Sequence, residues 1–213
     1  MKERPVIFNG EMVRAILDGR KTQTRRAINW KRQPYMEMAE RDDGSIWPWA
    51  EDCERGGDIW FPCQFGQVGD RLWVRETFGD CGDRLVYRAD RDDGAACKVA
   101  RWVPSIHMPR DASRILLEIT GVRVERLNDI SEEDASAEGV RQGIRRTGSS
   151  VGNEPVYCNY LAENLNDAYE WFDLPSDSFI SLWQSIYGAE SWQHSPWVWV
   201  IEFKRVGGSD ASK

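Results

Sequence analysis

Histidine is nearly absent: His107 and His194 are the two in 213 residues. Serine–histidine or cysteine–histidine catalysis therefore has few places to stand. The nearest pairing, His194 with Ser195, lies in a turn beside Pro196 and has no supporting motif. Walker-type phosphate loops, a G-x-G-x-x-G after a strand and an H-E-x-x-H helix are also missing, which leaves nucleoside-triphosphate, dinucleotide and zinc-protease chemistry without a motif. The five cysteines (Cys53, Cys63, Cys81, Cys97, Cys158) form an odd set with no repeated C-x-x-C. A full disulfide framework is not expected from them, and a reducing cytoplasm suits them. Cys53, Cys63 and Cys81 match no zinc-ligand spacing, so neither a metal nor a cofactor is expected. No apolar run resembles a signal peptide or reaches bilayer length, so a soluble protein without a membrane partner is expected.

What is present is a globular composition, 41% hydrophobic and 30% charged, with an unusual 11 tryptophans. Trp47, Trp49, Trp60 and Trp73 fall together in the sequence, as do Trp192, Trp197 and Trp199. They fit core packing, or a stacking wall for a nucleobase. The net charge of −7 argues against strong non-specific binding to nucleic acid. The charge is uneven, however. Residues 11–34 hold seven cations (Arg14, Arg20, Lys21, Arg25, Arg26, Lys31, Arg32) against Glu11 and Asp18, a local +5, so the remainder carries −12. Such a basic lip suits a small anionic or polar ligand or a single RNA contact; a solvated basic face reads the same way.

Met12, Val13, Ile16 and Leu17 recur at helical spacing, and Gly19 supplies a stop. Lys21 to Arg26 then leaves the helix end for an extended segment. Residues 34–66 and 141–175 read as insertions in a single domain over 1–206, with 207–213 as a disordered tail. Strands are predicted at Arg71–Phe78, Leu85–Arg88, Arg114–Thr120, Val122–Leu127 and Trp197–Lys204, the third and fourth joined by a tight turn at Gly121. Ser131 and Asp134 form a capping-box-like pair opening a short helix that Gly139 ends. Leu161–Trp171 reads as a helix. So does Ser176–Tyr187, with Phe179, Leu182, Trp183 and Ile186 on one face. About five strands with few long helices predict an α+β fold, a small mixed barrel with helical insertions.

The sequence offers few groups for chemistry. A lysine beside a hydroxyl is a minimal kit for activating an oxygen nucleophile without histidine, and Lys21 and Thr24 supply one. Burial or the neighbouring Arg20, Arg25 and Arg26 would have to lower the lysine pKa, and a turn or bulge would have to put both side chains on one side of the chain. The alternative is a surface lysine and an ordinary strand threonine. Glu138 sits at the end of its helix, where the negative pole disfavours a carboxylate. It is either solvated or reserved for acid–base work. Glu76 is a carboxylate in a half-buried strand, fit to hold a base amino group or to pair with Arg75 or Arg26. His107, between Ile106 and Met108, is a ligand-binding or a structural histidine.

Taken together, Gly19-Arg20-Lys21-Thr22-Gln23-Thr24-Arg25-Arg26 resembles the signature of the ASCH domain, a PUA-like β-barrel. Three later segments agree in order: Val68 to Val74 with the family's G-D-x-L strand, Ile130 to Val140 with its acidic helix, and Val198 to Phe203 with its closing strand. The matching segments cover about half of the chain, which is similar to the longer, Trp-rich ASCH proteins of phages and prophages. The resemblance implies a PUA-like (ASCH) barrel with flanking helices. It extends to the N4-acetylcytidine amidohydrolases, metal-independent hydrolases that remove the acyl group from the exocyclic nitrogen of cytidine. It then implies catalytic roles for Lys21, Thr24 and Glu138. Glu76 with Trp73 or Tyr87 would hold the ring, Arg25, Arg26 or a backbone N–H would stabilise an oxyanion, and His107 would be a further ligand contact. ASCH membership also implies an alternative, an RNA-binding module or ribonuclease.

Overall fold

The computed structural model describes residues 1–29, 37–82, 84–90, 99–146, 153–167 and 170–206. Lys31 and Arg32 of the basic stretch, and the tail 207–213, lie outside them. In chain order the first elements are β1 (Glu3–Ile7), α1 (Gly10–Leu17), β2 (Gln23–Ala27), β3 (Glu37–Glu40), β4 (Ile46–Glu51) and β5 (Asp58–Trp60). Then come β6 (Arg71–Arg75), β7 (Phe78–Asp80), β8 (Leu85–Tyr87), β9 (Trp102–Val103) and β10 (Leu116–Arg126). The last are α2 (Glu132–Ala137), β11 (Gln142–Arg146), β12 (Asn153–Tyr157), α3 (Pro175–Tyr187) and β13 (Trp197–Arg205). The class is α+β, mostly strands. Among the described residues the strands pair as open sheets and close no barrel.

The chain divides into two compact units where the sequence reads as one domain with insertions. The first comprises Met1–Gly19, Pro62–Val122 and the segment from Ile201. The second comprises Arg20–Phe61 and Arg123–Val200, which takes in nearly all of both insertions.

In the first unit β1 runs parallel to β6, with Val6 opposite Val74, and β10 is antiparallel to β6, with Leu117 opposite Leu72. Period-2 alternation sends Leu72, Val74, Leu117 and Ile119 into the core, with Val13 and Ile16 of α1 buried as well. Helix α1 starts where the Asn9 side chain accepts from Met12 N–H (2.9 Å), and Gly19, at φ +75°, follows its end. Gly121 is not a turn. It lies inside the unbroken β10, where a Cβ would meet the carboxylate end of Glu202 (Oε2 at 2.7 Å). The strand expected over Arg71–Phe78 is broken after Arg75, which leaves Glu76 at the joint with β7.

The G-D pair anchors the amino terminus. Asp70 accepts from Lys2 N–H (2.7 Å) and from Arg4 Nη1 (2.8 Å). These donors, the Lys2 amide foremost, hold its carboxyl down to about 2. A depressed carboxylate pKa stabilises the fold above the unfolded value near 4, and that contribution is lost as pH falls through the folded value. Asp70→Asn is therefore expected to lower the urea midpoint at neutral pH. The difference from wild type should shrink as the midpoint is followed from about pH 4 to about pH 2.

In the second unit β3, β4 and β5 form an antiparallel sheet inside the stretch that lacks a sequence period. Its pattern is hidden because aromatic anchors replace alternation: Trp47 packs edge-on to Trp199 at 5.0 Å, and Arg41 lies over Trp47 and Trp60. The hairpin β11–β12 carries Gly143 flat against Trp171, where a Cβ would meet the ring at 2.6 Å. No helix forms over 161–167. Asn159 and Asn164 instead take the N–H groups of Leu161 and Asn166 in local turns. Helix α3 forms as expected, with Pro175 in its first turn and Gly188 at its end. Phe179, Leu182 and Trp183 are buried, but Ile186 is 43% exposed. Ser178 and Ser181 fill the buried face in its place by bonding the Cys158 and Ser178 carbonyls.

Candidate active site

Lys21, Arg25 and Glu138 meet in the second unit although Glu138 is more than a hundred residues from both. Gly139, at φ +83°, ends α2 and leaves Glu138 as its C-cap residue, and Ser131 Oγ accepts Asp134 N–H at the other end. Half of the expected capping box is therefore used. The other half is not, because the Asp134 carboxylate turns to Arg25 and Arg123 (2.8 and 2.7 Å). Lys21 Nζ donates to Glu138 Oε2 (2.7 Å) and to the Glu138 main-chain oxygen (2.8 Å). Arg25 Nη1 donates to Glu138 Oε1 (3.2 Å), and Arg20 Nη1 to the Gly139 carbonyl (2.7 Å). The negative end of α2 is thus met by cations, which is why a carboxylate can stand there.

The same strand carries the second row of charges. Gln23 donates to the Asp134 carbonyl (2.9 Å), so Gln23 and Arg25, two apart on β2, both reach α2. Arg25 also binds Glu125, which is shared with Arg123. Three cations (Lys21, Arg25, Arg123) and three carboxylates (Glu125, Asp134, Glu138) form one connected cluster. Arg123 is a member of the cluster that no motif in the sequence marks. Its signal was a cation on β10 two residues before Glu125, which alternation places on one face.

The side chains of Lys21 and Arg25 are fully buried and that of Glu138 is 3% exposed. Burial pushes the Lys21 ammonium below its usual range, and the Glu138 carboxylate opposes that shift. The positive charges of Arg26 and Arg25 add to the lowering, as the basic surroundings of Lys21 in the sequence suggested. Thr24 is buried in β2 between Gln23 and Arg25, and strand alternation sets its side chain on the face opposite theirs. Lys21 precedes the strand and is not bound by that alternation.

The expected ring-holding residues belong to the first unit. Glu76 is 2% exposed and accepts both Arg114 Nε (2.9 Å) and Nη2 (3.1 Å). Its partner is Arg114, not Arg75 or Arg26. Tyr87 lies under the Arg114 guanidinium (4.0 Å) and donates to the Ala112 carbonyl (3.0 Å). Arg75 lies over Trp73 at 5.4 Å and donates to the Ile106 carbonyl. His107 is exposed at the end of a short 3-10 turn. Cys63 is buried and its thiol is pushed up to about 11, which suits packing more than reaction. Among the described residues no three His, Cys, Asp or Glu side chains gather as a metal site, and no helix is long and apolar enough to cross a membrane.

Comparison with protein-family models, curated proteins and solved structures returned no match.

Proposed function

We propose that the chain is a PUA-like, ASCH-type amidohydrolase that removes the acyl group from N4-acylated cytosine nucleosides. The observation that carries this reading is the buried Lys21–Glu138 contact of 2.7 Å, made between the two segments that the family resemblance singles out. In its free-amine form Lys21 takes a proton from the attacking oxygen, for which the resemblance names the Thr24 hydroxyl. The oxygen adds to the acyl carbon, the C–N bond breaks, and the N4 nitrogen leaves with a proton as the amine. Water then releases the acyl group as a carboxylic acid. Glu138 has both oxygens engaged by Lys21 and Arg25, so it fits the holding of Lys21 better than proton donation. Arg25 is committed to three carboxylates and is withdrawn as an oxyanion donor.

The RNA-binding alternative needs the basic stretch on the surface. Lys21 and Arg25 are buried, and Arg14 is paired with Glu11 at 2.6 Å, so the stretch lends that alternative little support.

The test is the fall in N4-acetylcytidine absorbance with purified protein. Turnover is expected. Thr24→Ser should keep measurable activity, and Thr24→Val, which removes the hydroxyl but keeps the shape, should lose about a hundredfold or more. An acyl adduct on Thr24→Ser, sought by intact mass, would identify the attacking oxygen. Full activity in Thr24→Val transfers that role to water, and no turnover of any N4-acyl cytosine by wild type ends the proposal.

A further inference from the structure

The first unit holds a cavity of about 580 Å³ that Glu76, the carboxylate expected to hold the ring, shares with residues that the deacylation reading does not name. Its lining includes Glu76 and Arg88, the apolar Ile7 and Phe8, and Glu11 and Arg14, whose charges are spent on each other at 2.6 Å. The volume is that of a small-molecule site, far more than a single ion needs. We infer that this cavity binds a small anion that also carries an N–H donor, the donor on the Glu76 carboxylate and the anionic group at Arg88.

Glu76 is the fixed point. It is buried and clamped edge-on by Arg114 through both oxygens, and Arg114 is itself held by Asp90 (2.8 and 3.0 Å) and stacked on Tyr87. A carboxylate has about four acceptor sites, and this clamp uses one on each oxygen. The unused sites suit N–H donors and repel an anion. Arg88 lines the same cavity: it is exposed, lies over Trp102 at 6.0 Å, and has no carboxylate partner among the described residues. Phe8, 2% exposed, and the half-exposed Ile7 give an apolar wall for the body of the ligand. A carboxylate and a guanidinium lining one cavity recognise a bipolar molecule, and either group alone recognises half of it.

Two sources share this chemistry: an amino-acid-type zwitterion, and a nucleoside monophosphate with an amino-bearing base. Isothermal titration of the full chain separates them, with glycyl-phenylalanine in one arm and cytidine 5′-monophosphate in the other. Inorganic phosphate and cytidine serve as probes that lack the donor or the anion. One arm is expected to saturate at one ligand per chain, with both half-probes at least about tenfold weaker. Arg88→Ala, at an exposed position, should weaken that binding about tenfold or more, and so should Glu76→Gln. Silence in both arms overturns the inference, as does binding that Arg88→Ala leaves unmoved or that phosphate alone reproduces. If Glu76→Gln does not fold, the Arg88→Ala result still decides. Binding is read without turnover, so this result and the deacylation result stand or fall separately.

Discussion

Lys21→Arg is expected to fold and yet to lose about 10²–10⁴ of the N4-acetylcytidine turnover, the range a positioned base contributes. An arginine keeps the positive charge opposite Glu138 but does not release a proton in a protein. A lysine can, and burial has already moved Lys21 in that direction. Lys21→Ala should be equally inactive and should also cost about 3 kcal/mol, the low end for breaking a buried pair, because Glu138 keeps Arg25 at 3.2 Å. The wild-type rate should rise with pH until Lys21 has lost its proton, below the 10.5 of an ordinary lysine. Stability carries the same signature. Above the folded pKa and below 10.5 the unfolded chain binds the extra proton, so wild-type stability gains with pH in that window. Lys21→Met removes that gain. Activity in Lys21→Arg within tenfold of wild type would show that the lysine serves only as a structural cation.

The parts of this arrangement that were legible in the sequence are the local ones. Gly19 ends α1, Ser131 and Gly139 bracket α2, and Gly188 ends α3, because a cap or a stop needs only its own neighbours. Glu138 stood out for the same reason, as a carboxylate at the wrong end of a short helix. Non-local contacts were not legible. Gly121 looked like a turn, since nothing nearby in sequence announces that Glu202 will press on its face. The sheet of β3, β4 and β5 was read as irregular, because Arg41, Trp47 and Trp60 hold it by stacking and leave no alternation to see. Nothing local in the sequence distinguishes Arg114 from the other arginines, although it fixes Glu76, Asp90 and Tyr87 together. The basic stretch was read as a surface because charge runs usually are. Here the matching carboxylates arrive from residues 125, 134 and 138 and draw Lys21 and Arg25 inside.

Arg25→Ala is expected to destabilise the protein by about 3–5 kcal/mol, the cost of leaving buried charge uncompensated. One guanidinium with no exposed side-chain surface serves Glu125, Asp134 and Glu138 at once, and no other residue of the cluster touches all three. Without it, among the described residues, Glu138 keeps only Lys21 as a cation, and Glu125 and Asp134 keep only the partly exposed Arg123. Arg25→Lys should recover a minor part, since an ammonium is a point charge that cannot span the planar fork. Arg25→Met should recover little, since it restores stem packing under Phe179 but not charge. The acid limb distinguishes this cause from lost packing. Burial raises the Asp134 pKa, but the hydrogen bond from Arg25 and the charges of Arg123 and Arg25 outweigh it, and the net direction is down. A depressed carboxylate stabilises above its unfolded value, near 4, and loses that contribution as pH falls through the folded value. The wild-type advantage over Arg25→Ala in urea midpoint should therefore be full at neutral pH and narrow below about pH 4. A gap that stays constant down to the acid transition would assign the loss to packing around Phe179 and not to the ion cluster.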